Sequence, residues 1–245
     1  MTRFTSDLNA GAGVGVTLCC AFGAVSGWAV SGSAFLGALV SVLAVALAAQ
    51  KTYASRSAVI LGGVAVNSFL TAVSEGIITL YPEIGVYTAD FRTGGFSGVT
   101  DSKLIPAAVM IIIALLLAFT LSSELDILSM GEDTAQGLGL SVKKTRTLFL
   151  ALAALLAGAS VSFSGLLGFV GLIVPNMVKK LVGGESRKLL PVCSLGGAMF
   201  VTLCDCAARS LFSPYEIPTG IVMSAVGAPF FIFLLFRSKG GHSRG

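Results

Sequence analysis

Between Ala10 and Phe236 the chain alternates long apolar stretches with short polar interruptions. A helix packed in water buries one stripe and wets the other; the stretch that starts at Leu166 has no polar face to wet, and all of these stretches are poor in charge. They predict eight helices, over residues 10–30, 35–49, 57–80, 104–121, 148–163, 166–178, 190–206 and 217–236. Most approach the roughly 20 residues that cross a bilayer. The short alternating segments that build a membrane β-barrel are not part of this pattern. The fold class that follows is an all-α polytopic membrane helix bundle, read as one transmembrane domain over residues 1–245.

The sixth stretch, LLGFVGLIVPNMVKKLVGG, is short, and only Ser164 and Gly165 separate it from the fifth, which predicts a tight hairpin. Pro175 removes one helical hydrogen bond and Asn176 can bond the freed carbonyl, so this pair is read as a helix break; a plain helix stop fits the same residues. Two connections exceed what a turn needs. Residues 81–103 carry interface aromatics and enough apolar residues for a short helix on the membrane. Residues 122–147 mix Leu125, Ile127, Leu128, Met130, Ala135 and Leu138 with Glu124, Asp126, Glu132 and Asp133, predicting two short amphipathic helices that break at Gly131. A soluble partner can take such a surface into a groove. Lipid suits it less, because the acids would face an anionic leaflet.

Composition agrees with the pattern. Of 245 residues 55% are hydrophobic and 11% charged, against about 25% charged in an ordinary globular domain. The net charge of +4 changes meaning once it is mapped. With the N-terminus inside, one side collects Arg3, Lys51, Arg56, Lys143, Lys144, Arg146, Lys179, Lys180, Arg187, Lys188, Arg237, Lys239 and Arg244, and only Arg92, Lys103 and Arg209 fall on the other. Basic residues accumulate on the cytoplasmic side, so the excess is an orientation signal placing both termini in the cytoplasm, and no nucleic-acid partner is needed to explain it. The opening residues lack the features of a cleaved signal peptide, leaving the first span as the insertion signal. Residues 237–245 are polar and glycine-rich and are read as a disordered cytoplasmic tail.

Thirty glycines, among them Gly11, Gly13, Gly15, Gly62, Gly63, Gly165, Gly168 and Gly171, offer small surfaces on which membrane helices approach closely. The five cysteines lie in apolar context and read as small buried hydrophobes. A single histidine, His242, has no partner for a metal site, and no cofactor is called for. Asp205 and Arg209 stand four apart on one helix face and can pair; Glu75 lies toward the outer end of the third span, lining an aqueous path or reaching the interface. Neither a nucleophile–base set nor a phosphate-binding glycine loop is present, so the sequence offers no enzyme chemistry.

The run GLLGFVGLIVPNMVKKLVGGESRKLLP, followed by Asp205, Ala208-Arg209 and EIPTGIVMSAVGAPFFIFLL, resembles the permease subunit of type II ABC importers, which take up ferric siderophores, haem and cobalamin. The inward loop MGEDTAQGLGLSVKKTR is similar to that family's coupling segment, with Gly131-Glu132, Ala135 and Leu138-Gly139 at the matching positions. The resemblance implies a homodimer in a bacterial plasma membrane, two cytoplasmic ATPase subunits docked on the coupling segment, and an extracytoplasmic substrate-binding protein whose acidic residues meet Arg209. It further implies an inner gate at Ser55, Arg56 and Ser57. Two departures stand out: the family's Pro-His is Pro175-Asn176 here, and the family has ten spans where this chain begins at the third. Two other readings stay open, an ion-coupled secondary transporter with Glu75 and Asp205 as proton sites, and a truncated, inactive permease.

Overall fold

A computed structural model describes residues 2–23, 27–51, 56–211 and 216–239, and every regular element among them is helical. Eleven helices follow in order: α1 Thr2–Ala21, α2 Gly27–Lys51, α3 Arg56–Leu80, α4 Ile84–Thr93, α5 Asp101–Thr120, α6 Ser122–Ser129, α7 Glu132–Gly137, α8 Val142–Ser164, α9 Val170–Val182, α10 Ser186–Ser210 and α11 Thr219–Lys239. Eight of these carry the predicted apolar stretches; α4 is the helix expected after the third, and α6 and α7 are the two short helices expected to meet at Gly131. By length and composition the stretches 62–80, 142–164 and 186–210 suffice to cross a membrane on their own. A fourth crossing results if α5 and α6, bent by 58° at their junction, count as one span.

The chain forms two compact units, residues 1–92 with 98–165, and residues 93–97 with 166–245. In the first, α1 packs on α2 and α3, and α8 packs on α2 and α5. Its core is built of small side chains: Ala12, Ala34, Ala38, Ala107, Ala114, Ala154 and Ala159 are buried, with Thr17, Ser41 and Ser74 among them. Large apolar residues point the other way, Leu36, Phe69, Ile105, Ile112 and Leu116 all being more than half exposed. This inversion of the water-soluble rule is what lipid permits: tails solvate Leu and Phe as well as a core does, so association rests on close backbone approach. Thr17 and Ser74 share a buried hydroxyl contact of 3.2 Å between α1 and α3.

The α1–α2 contact shows why glycine is used. A methyl group on Gly15 would collide with the backbone carbonyl of Ser33, and one on Gly37 with that of Gly11. Backbone cannot give way as a flexible side chain can. Gly15→Ala is therefore expected to destabilise the bundle, by about 1–3 kcal/mol as overpacking does. Gly62→Ala, with nothing within 4 Å, should be neutral or slightly favourable. Thermal unfolding of both variants in detergent checks the contrast; equal transition temperatures would show that the α1–α2 approach does not limit stability.

Several boundaries differ from expectation. α1 ends at Ala21 with Gly23 at φ 77°, so the first turn comes earlier than residues 31–34; the apolar run is continuous there, and hydropathy is blind to a left-handed glycine. α8 begins at Val142, because Lys143, Lys144 and Arg146 extend the helix beyond its apolar part instead of capping it. α9 starts at Val170, since Phe169 takes φ 65° and Gly165 φ 67°; the connection is thus longer than a two-residue turn. Pro175 does not break α9, which runs seven residues further to Val182. Proline sits in the second turn, where one bond is lost, and Asn176 Nδ2 donates to the Leu172 carbonyl at 2.7 Å, a residue beyond the carbonyl that proline frees. α11 reaches Lys239, so residues 237–239 continue a helix; residues 240–245 lie outside those described. Of the cysteines only Cys20 and Cys204 are buried, and Cys206 is exposed.

Candidate functional site

The candidate coupling segment is two short helices held at fixed angles by glycine. Gly131 adopts φ 116°, ψ 156°, a conformation essentially closed to residues with a Cβ, and its carbonyl accepts the first bond of α7 from the Ala135 N–H. At the other end the Gly139 N–H donates to Gln136 O and the Leu140 N–H to Ala135 O, with Gly139 at φ 81°. That pair of bonds is the Schellman ending, which needs a left-handed residue after the last turn. Both glycines of the motif thus have a backbone reason to be there.

The remaining motif positions divide by exposure. Ala135 is fully buried beneath α7, which has contacts with α6 and α8. Every other residue of α7 is exposed, and on either side Met130 and Leu138 present 66% and 63% of their surface. Glu132 Oε1 accepts from Arg146 Nη1 at 2.7 Å, tying the first turn of α7 to the second turn of α8. Sequence reasoning marked Glu132 and missed Arg146, fourteen residues away across two turns. Lys143, Lys144, Thr147, Leu148 and Ala151 line a shallow, open depression along the same part of α8.

The second unit gathers polar groups where α10 ends and α11 begins. Asp205 accepts twice: from Arg209 Nε at Oδ2, 2.9 Å, and from Thr219 Oγ1 at Oδ1, 2.7 Å. The Thr219 side chain is buried, Asp205 is mostly covered and Arg209 is half-exposed. Nearby in sequence, Glu216 accepts from Ser97 Oγ at 2.9 Å. Residues 93–97 belong to this unit because Gly94, at φ 66°, bonds the start of α11 through its carbonyl, accepting from the Gly220 N–H at 3.1 Å. A Cβ on Gly220 would strike the Thr93 carbonyl, and one on Gly227 the Phe169 ring, so α11 brings no side chain of its own to either contact.

The other predicted positions are placed as follows. Glu75 is paired with Arg92, the basic residue in the last turn of α4, at 2.7 Å in the first unit. Ser55 lies outside the described residues; Arg56 and Ser57 open α3, and their side chains are not described.

With this geometry the chain matches the profile of the FecCD transport family over residues 4–237, and it belongs to that family. It is 37% identical over 179 residues to the Fe(3+)-citrate import system permease protein YfmD of Bacillus subtilis, covering 73% of this chain and 54% of that protein. Against the cobalamin import system permease protein BtuC of Halobacterium salinarum identity is 33% over 229 residues, 93% of this chain and 62% of the relative. A solved structure described as an inward-facing conformation of a metal-chelate type ABC transporter superposes with a TM-score of 0.88 at 29% identity, covering 97% of this chain and 76% of that one. The chain spans a little over half the length of the curated relatives it matches.

Proposed function

We propose that the chain is the permease subunit of an ATP-binding-cassette importer that passes a metal chelate into the cell by alternating access, at a homodimer axis in a bacterial plasma membrane with both termini cytoplasmic. Two ATPase subunits bind below and a substrate-binding protein docks above. The cargo class is a ferric siderophore, with haem and cobalamin as the nearest alternatives. The observation that carries the reading is the exposed α7, fixed between Gly131 and Gly139 and tied to α8 by Glu132 and Arg146. A push on α7 reaches α8 through three ties: its ends are set by glycine geometry, its underside is seated on Ala135, and its first turn is bonded to α8. Closure of the ATPases on nucleotide is thereby passed into a membrane helix. Ser55, Arg56 and Ser57 are assigned to the inner gate, Arg209 to the binding protein.

The ion-coupled reading gains nothing from the geometry, because both of its candidate proton sites already face an arginine, Glu75 through Arg92 and Asp205 through Arg209. In proteoliposomes holding the assembled importer, uptake of the radiolabelled ferric chelate is expected to stop with vanadate and to persist with a protonophore. The opposite pair of results would replace this reading with the ion-coupled one.

A further inference from the structure

Arg209 has long been within reach of Asp205 by spacing alone; what spacing does not reveal is the third member of the set. Asp205 uses one oxygen on the Arg209 Nε and the other on the buried Thr219 hydroxyl at the first residue of α11. We propose that Asp205 is the positioning residue of the docking surface, orienting Arg209 and joining it to α11. The inference rests on the docking role given to Arg209 above.

The chemistry follows from the shape of the guanidinium. It is planar and carries five N–H donors in a fixed fork. Asp205 engages only the Nε edge, so the outer face with its two terminal nitrogens remains for a carboxylate on a partner, and bidentate pairing there needs no bond within the chain to break. An arginine on a helix end otherwise samples many rotamers, and each must be frozen when a partner binds. Holding Nε removes part of that loss beforehand. The Thr219 bond does two things: it fixes the Asp205 rotamer, and it links any pull on Arg209 to the start of α11. Asp205 also offsets the positive charge of Arg209, which keeps the arginine from binding stray anions while leaving its terminal donors for a partner.

A double-mutant cycle tests this. Permease in nanodiscs is titrated with its labelled substrate-binding protein, for wild type, Asp205→Asn, Arg209→Ala and the double variant. The asparagine keeps an acceptor for Thr219 and turns an N–H toward Arg209, releasing it. Expected is a loss of about tenfold in affinity for Asp205→Asn, a larger loss for Arg209→Ala, and a double variant no weaker than Arg209→Ala alone. Thr219→Val serves as the second variant, weakening docking in the wild-type background and having no effect when Arg209 is already alanine. If Arg209→Ala weakens docking and Asp205→Asn does not, the positioning role is overturned while the docking role stands. Additive losses overturn it as well, because they make Asp205 an independent contributor. Unchanged affinity in Arg209→Ala sinks the docking reading and the inference with it.

Discussion

Substituting Gly131 by alanine is expected to remove most substrate-stimulated ATP hydrolysis from the assembled importer while leaving the amount of chain in the membrane unchanged. The backbone at Gly131 lies at φ 116°, ψ 156°, where a Cβ costs on the order of 1–3 kcal/mol. Spread over the equilibrium between the docked geometry and a relaxed one, that is roughly a 5- to 140-fold loss of the competent form. A Cβ at Gly131 would meet nothing within 4 Å beyond its chain neighbours, so the strain is relieved by tilting α7 and not by disturbing the bundle. Glu132→Ala acts on the same joint by a different route. Its pair with Arg146 is more than half exposed on both sides, and such pairs contribute at most about 1 kcal/mol to stability. The chain should therefore fold normally and lose the tie between α7 and α8. Gly137→Ala is the internal control, in the same helix at ordinary φ with open space around it. Wild-type uptake and ATPase stimulation in Gly131→Ala would remove this hinge from the coupling path.

What the sequence made legible, and what it hid, follow one physical distinction. Hydropathy reports the solvent of a segment, so the eight apolar helices and the short helices of both long connections were readable. Residue pairs at helical spacing were readable too, as with Asp205 and Arg209. Contacts set by the fold were not: Arg146 under Glu132, Arg92 beside Glu75, and Thr219 on Asp205 each lie fourteen or more residues away. Backbone conformation was half legible. Gly131 and Gly139 announce themselves as residues that permit positive φ, but Phe169 at φ 65° does not. It is the only described residue with a side chain in that region, and its ring occupies the space that Gly227 leaves on α11. Pro175 misled in the opposite direction, since proline near the beginning of a helix costs one bond and lets the helix continue.

Arg209→Glu should weaken docking of the substrate-binding protein by roughly 10- to 100-fold, beyond the loss from simple truncation, because the reversal adds repulsion to the lost attraction. Three negative groups would then share one end of the second unit: the new carboxylate, Asp205 one helical turn before it, and Glu216 ahead of α11. A partner surface carrying acids would meet them at like charge. The protein itself should tolerate the change, for the Arg209 side chain is 47% exposed and a half-wetted i,i+4 pair contributes little to folding. Asp205 also keeps its bond from Thr219, which holds the start of α11 in place. Salt dependence separates this effect from a general loss of structure. Wild-type affinity should fall as ionic strength rises from low to physiological values, while the reversed variant should gain or stay level over the same range, since screening now weakens a repulsion. Affinity equal to wild type at low salt would show that the partner reaches the permease without using this arginine.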